Sequence, residues 1–296
     1  MKTFLIHLSI ARLDHWFKNI FVFPGFFLAL IFENEGLSIY EIFLKIIVSL
    51  LAIGFTASAN YTINEFLDSE TDKVHPLKNI RPGAQGLLNP KYVLFQYIFL
   101  AFLSLLISKV FFGSIFFYWM IIFLVMGVIY NVKPFRTKDL PFLDVLSESI
   151  NNPLRLILGW FAITQISFPP SSIILSYWMG GAFLMAVKRY AEYLRINDAT
   201  NAALYRKSFE FYDEKILLLS SFFYALTSTF FLGIFLIKYK IEFIIAFPFL
   251  SLLFAWYLLL GMKTNSNVQR PEKLYKEKAF MIYLIFLIFL IATLFF

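Results

Sequence analysis

Nine apolar runs, each close to the length that crosses a bilayer, divide this chain, at roughly 16–32, 39–63, 91–110, 113–131, 142–165, 172–194, 214–237, 241–261 and 278–296. A helix needs about 20 consecutive apolar residues to cover the hydrocarbon core. Within lipid it satisfies its own backbone polar groups. The pattern predicts an all-α polytopic membrane protein, with nine transmembrane helices in one bundle and a single domain over residues 1–296. Composition agrees, since 60% hydrophobic and 20% aromatic residues lie outside the range of soluble globular domains. The run at 142–165 is the least regular, because it opens on acidic residues and contains Arg155. The first run lacks a small-residue cleavage site and leads directly into further spans, so it reads as a retained helix and not as a signal peptide. The chain has no cysteine, which excludes disulfides and thiolate metal sites.

The net charge of +7 is spread over short loops between the apolar runs. That distribution points to lipid headgroups and anionic substrates, and away from nucleic acid. With nine helices, most of the 26 lysines and arginines fall on the N-terminal segment and on the loops after the second, fourth, sixth and eighth helices, including Lys2, Arg12, Lys18, Arg206 and Arg270. The positive-inside rule places that face in the cytoplasm of an inner or plasma membrane.

On the same face lies a polar stretch from Asn64 to Pro82. Asn64, Asp68 and Asp72 recur every four residues, a spacing that puts them on one face of a helix. Oxygen-bearing side chains stacked in this way repel one another unless a cation sits among them. Mg²⁺ suits such ligands and usually keeps waters and substrate phosphates in its shell. A second polar stretch runs from Tyr130 to Glu148. Pro141 is expected in the first turn of the fifth helix, where its missing N–H costs nothing. Asp144 and Glu148 then share a face one turn into the membrane, and Asn151, Asn152 and Arg155 continue a polar stripe. Ionisable groups at that depth normally face a bundle interior or an aqueous cavity. The arrangement predicts a polar cavity open to the cytoplasm, with carboxylates of the second and fifth helices across it.

Two carboxylate clusters with lysine and arginine suit a substrate that bears a diphosphate. Mg²⁺ bridges carboxylates to phosphate oxygens and neutralises charge on a leaving group, while cationic side chains clamp the remaining oxygens.

The spacing Asn64-x3-Asp68-x3-Asp72, the basic loop that follows it, and Asp144-x3-Glu148 after Tyr130 and Lys138 resemble the two aspartate-rich motifs of the UbiA superfamily of intramembrane prenyltransferases. Two positions depart from the usual pattern. Glu65 and Glu148 stand where the family usually has aspartate, and each is longer by one methylene. His75-Pro76-x-Lys78-x2-Arg81-Pro82-x2-Gln85-Gly86, Trp16-x-Lys18-Asn19 and Lys188-Arg189-Tyr190-x-Glu192 resemble the decaprenyl-phosphate phosphoribosyltransferase branch. The resemblance implies a nine-helix fold and transfer of phosphoribose from phosphoribosyl diphosphate to a polyprenyl phosphate. It also implies Mg²⁺ held by Asn64, Asp68, Asp72 and Asp144, with Glu65 and Glu148 as further ligands. Asp68, Asp72 and Asp144 would then be catalytic. Lys18, Lys78, Arg81, Tyr130, Lys138, Arg155, Lys188 and Arg189 would bind the substrate phosphates.

Two other functions compete with this reading. One is a UbiA-type enzyme that moves a prenyl group from prenyl diphosphate to an aromatic or other acceptor. The other is a transporter, which would normally carry its charged residues on discontinuous helices near the midplane. His75, before a proline, reads as a loop-shaping residue, and with only three histidines a zinc site is not indicated. Oligomeric state leaves no signature in the sequence.

Overall fold

Ser38 and Glu41 start the helix that carries the first acidic motif. The Ser38 hydroxyl accepts from the Glu41 N–H at 3.3 Å, and the Glu41 carboxylate accepts from the Ser38 N–H at 2.8 Å. This reciprocal capping box satisfies two donors that a helix start leaves unpaired. The computed structural model describes residues 2–33, 36–75, 77–196, 203–239, 241–263, 266–269 and 271–295. Pro76 and Arg270, both used above, lie outside them, as does the side chain of Lys2.

In chain order the α-helices are α1 (Lys2–Ser9), α2 (Phe23–Phe32), α3 (Ile39–Leu67), α4 (Ser69–Lys73), α5 (Pro90–Phe111), α6 (Ser114–Asn131), α7 (Leu143–Ser149), α8 (Asn151–Ile163), α9 (Ser171–Ile196), α10 (Glu214–Tyr239), α11 (Phe247–Gly261) and α12 (Lys278–Phe295). A 3-10 helix over Leu13–Val22 joins α1 to α2. No strand occurs among the described residues.

Seven stretches are helical, long and apolar enough to cross a membrane: Leu5–Phe32, Ile39–Leu67, Pro90–Phe111, Ser114–Asn131, Ser171–Ile196, Glu214–Tyr239 and Ile241–Gly261. The expected count of nine is thus corrected to seven among the described residues. The expected ninth span is an apolar helix over Lys278–Leu294 that falls just short in length. The expected fifth span breaks at Ile150 into α7 and α8. Pro153 is the physical cause, because its ring has no N–H for the carbonyl of Ser149 and crowds that carbonyl. One turn earlier, the Asn151 amide donates to the Glu148 carbonyl at 2.9 Å. Pro141 also sits outside the helix it was expected to start. Phe142 follows it with φ 64°, and α7 begins only at Leu143.

The bundle packs α3 against α5 and α6, α2 against α8, and α9 along α10. The contact between α2 and α8 depends on glycine. A Cβ on Gly25 would lie 2.0 Å from the Leu156 carbonyl, and one on Gly159 would lie 2.2 Å from that of Val22. Small residues of this kind let membrane helices approach closely. Ser176 and Ser228 join α9 to α10, each hydroxyl donating to the other's carbonyl at 2.9 Å. These contacts fix α3, α6, α7 and α9 so that their polar ends converge.

Candidate active site

The first acidic motif divides in two. Asp68 terminates α3 and precedes α4, so the row of three expected on one helix becomes two separate sets of contacts. Asn64 and Asp68 turn toward the end of α6. The Asn64 amide donates to Asp68 Oδ2 at 3.0 Å and to Asn131 Oδ1 at 2.5 Å. Lys138 donates to Asp68 Oδ1 and, at 2.9 Å, to Asn131 Oδ1. Arg136 reaches the same Asp68 oxygen at 3.3 Å. Glu65 and Asp72 turn instead toward the loop after α4. Arg81 donates to Asp72 Oδ2 at 2.6 Å, and its Nε lies 3.9 Å from Glu65 Oε2. The other Glu65 oxygen is buried without a hydrogen-bond partner.

The second acidic motif is organised by Arg189 on α9. That guanidinium donates to Glu148 at 2.5 Å, Glu192 at 2.9 Å and Asp144 at 3.3 Å. Glu148 also accepts from the Tyr130 hydroxyl at 2.9 Å and lies 3.8 Å from Lys188 Nζ. Asp144 is fully enclosed. Tyr212 donates to its Oδ1 at 2.7 Å, Ser208 to its Oδ2 at 3.1 Å, and Arg206 stands 3.8 Å away.

Two contacts tie the halves together. Lys78, from the loop after α4, lies 3.8 Å from Glu192 on α9 and donates to the Tyr205 hydroxyl. Arg206 donates to the Lys138 carbonyl at 3.4 Å while facing Asp144. The site therefore has two walls, with ionic contacts across them. Arg155 stands apart, buried against the Phe123 ring and bonded to the Asn19 amide oxygen at 3.3 Å. Lys18 lies 5.6 Å from the Tyr61 ring centroid.

Electrostatics follow from burial and pairing. Burial pushes the Lys78 ammonium down to about 8, against the pull of Glu192. Burial also pushes Lys138 down to about 8, against the pull of Asp68. Asp68 is disfavoured as an ion by burial, yet Lys138 and the neighbouring arginines hold its carboxyl below the usual range. Burial takes His75 down to about 3, so its ring is neutral. Its Nδ1 accepts from the Leu77 N–H at 3.0 Å, as suits a residue that shapes a loop.

Several contributors were not assigned from sequence. Asn131 and Arg136 complete the Asp68 wall, and Tyr205, Arg206, Ser208 and Tyr212 fold back from the segment between α9 and α10. Arg206 was counted only toward topology, and no spacing in the sequence marks the tyrosines.

Among the described residues, no three His, Asp or Glu side chains converge closely enough to hold a metal ion by themselves. The carboxylates face cations instead. The donor chemistry nevertheless fits Mg²⁺, which commonly takes one or two carboxylates and completes its shell with water and substrate phosphate. Asp68 and Glu148 keep 18% and 24% of their side chains exposed and are open to that role. Asp144, fully buried with donors on both oxygens, is far less accessible.

The fold and the site together define a polytopic helical membrane protein with two acidic motifs, each interleaved with lysine and arginine. The chain belongs to the UbiA prenyltransferase family, whose pattern matches residues 20–285. A decaprenyl-phosphate phosphoribosyltransferase from Mycolicibacterium smegmatis is 30% identical over 70% of this chain and 62% of its own length. The Mycobacterium tuberculosis protein of the same name is 28% identical over 68% of this chain and 64% of its length. The chain thus spans under two thirds of these relatives. A UbiA homolog from Archaeoglobus fulgidus, solved with DMAPP and Mg²⁺, has a TM-score of 0.69 at 18% identity, covering 95% of this chain and 98% of that one. The same homolog with GPP and Mg²⁺ gives 0.67 at 20% identity, covering 96% and 99%. The all-helical UbiA fold and the apolar helices make this a multi-pass integral membrane protein.

Proposed function

We propose that the chain transfers 5-phosphoribose from phosphoribosyl diphosphate to a polyprenyl phosphate, at a site facing the cytoplasm. One observation carries the choice of branch. The basic motif after α4 and the Lys188-Arg189-Tyr190-x-Glu192 motif of α9 meet through Lys78 and Glu192, 3.8 Å apart. These are the motifs whose pattern resembles the phosphoribosyltransferase branch, and similarity to the mycobacterial proteins supports the same reading. A donor with a diphosphate and a second phosphate, together with a phosphate acceptor, also accounts for the density of cations.

In this proposal Asn64, Asp68, Asp72 and Glu148 would hold Mg²⁺. The bound ion neutralises charge on the diphosphate. Lys78, Arg81, Lys138, Lys188 and Arg189 exchange carboxylate contacts for phosphate oxygens as substrate enters. Asp144, held by Tyr212 and Ser208, keeps Arg189 and Arg206 aimed. A phosphate oxygen of the acceptor attacks C1 of the ribose, the C1–O bond to diphosphate breaks, and diphosphate leaves with the electron pair. No strong general base is needed, since the nucleophile is already anionic. Positioning and charge stabilisation supply the rate.

The test is consumption of phosphoribosyl diphosphate by purified protein with and without Mg²⁺, in wild type and Asp68→Ala. Consumption that needs both Mg²⁺ and Asp68 is the expected result. Full activity in the variant contradicts the assignment.

A further inference from the structure

Arg12, His15 and Lys18 are three residues apart along a segment that begins with Arg12 as the cap of the 3-10 helix Leu13–Val22. A 3-10 helix has three residues per turn, so side chains at i and i+3 eclipse. Eclipsing lines His15 and Lys18 along one edge, and Arg12, the left-handed cap, joins them against the Tyr61 ring that all three contact.

Neither cation is held in a close ion pair. Among the described residues, neither Arg12 nor Lys18 has a carboxylate within 4.0 Å, in contrast to Lys78, Arg81, Lys138, Lys188 and Arg189. Both cations instead face the Tyr61 ring, at 6.0 and 5.6 Å from its centroid. His15 is only 8% exposed, and its ring packs edge-on to Tyr61 at 5.3 Å. Its Nε2 lies 3.6 Å from the exposed Asp14, whereas its Nδ1 is buried with no hydrogen-bond partner. Buried polar atoms are nearly always paired, so an open ring nitrogen between two unpaired cations marks room for a ligand. Of the nearby carboxylates, Asp14 is exposed to 69% and Glu65 lies 3.9 Å from Arg81. Leu13, Phe17 and Ile20 on the same segment are 54%, 44% and 62% exposed, an apolar ridge beside the cationic edge.

We propose that Arg12, His15 and Lys18 form a second anion site that takes a phosphate monoester, separate from the diphosphate site. The ligand's identity rests on the function proposed above, because a phosphate monoester occurs both in a polyprenyl phosphate and at C5 of the donor. The apolar ridge favours the lipid.

The test is equilibrium binding to the full chain in nanodiscs of farnesyl phosphate, farnesol and ribose 5-phosphate. Wild type, Arg12→Gln and His15→Gln are compared, with magnesium diphosphate binding as the folding control. Farnesyl phosphate affinity is expected to fall about tenfold in each variant, as for loss of a hydrogen bond to a charged group, with farnesol unaffected. The same fall for ribose 5-phosphate alone assigns the site to the donor's 5-phosphate. If both variants keep the diphosphate control and bind both monoesters as wild type does, the proposal is overturned. A wild type that shows the farnesyl phosphate dependence yet transfers no phosphoribose overturns the proposed function alone.

Discussion

Arg189 Nη2 donates to Glu148 at 2.5 Å while its Nη1 donates to Glu192 at 2.9 Å, so one guanidinium holds α7 against α9. Asp144 completes the set at 3.3 Å. Removing one partner of such a buried group leaves uncompensated charge, at about 3–5 kcal/mol. Arg189→Ala is expected to lose that much stability, read from denaturant unfolding in detergent. Arg189→Lys restores the charge without the planar fork and should recover only part of the loss.

Lys78 and Lys138, both lowered to about 8, are cationic below that pH and lose their charge above it. Phosphate binding needs the cation. The value of kcat/KM for phosphoribosyl diphosphate should therefore fall as pH rises through about 8, since this ratio reports ionisations of the free enzyme. Lys78→Arg keeps its charge throughout and should make the alkaline fall shallower. An unchanged profile in both Lys78→Arg and Lys138→Arg contradicts this assignment.

Asp68→Asn keeps the shape of the side chain but removes the carboxylate that faces Lys138 and Arg136. A fall in kcat of about 10²–10³-fold is expected, the scale of losing one electrostatic contact to a developing charge. The variant should also need more Mg²⁺ for half-maximal rate, measured by titrating the ion at saturating donor.

Tyr212 bonds twice to the start of α7, accepting from the Phe142 N–H at 2.5 Å and donating to Asp144 at 2.7 Å. Phe142 is held at φ 64°, an unusual conformation for a bulky residue. Tyr212→Phe strands both partners, at about 1–3 kcal/mol. Unfolding midpoints should fall accordingly, and Ser208→Ala, which removes a different Asp144 donor, should fall less.

The apolar spans were legible because a run of about 20 residues is a length signal that needs no tertiary information. The break in the fifth run was present in the sequence as Pro153, within a stretch already marked by Asp144, Glu148 and Arg155. Asn64, Asp68 and Asp72 announced a polar site through spacing alone. Their division into two sets of contacts did not show, because it depends on Asp68 ending α3 and on Arg81 and Lys138 arriving from different loops. Tyr205, Arg206, Ser208 and Tyr212 come from the connection between α9 and α10, which carries no periodic pattern. The edge of Arg12, His15 and Lys18 depends on the 3-10 geometry of Leu13–Val22 and on Tyr61 of α3 packing against it, neither of which the sequence marks.

Two reactions on the same nanodisc preparation test the central claim most directly. One contains phosphoribosyl diphosphate and polyprenyl phosphate, the other prenyl diphosphate and an aromatic acid, each with Mg²⁺. Phosphoribosylated lipid formed in the first, with one diphosphate released per product, is the predicted result. Product in the second reaction alone would contradict it.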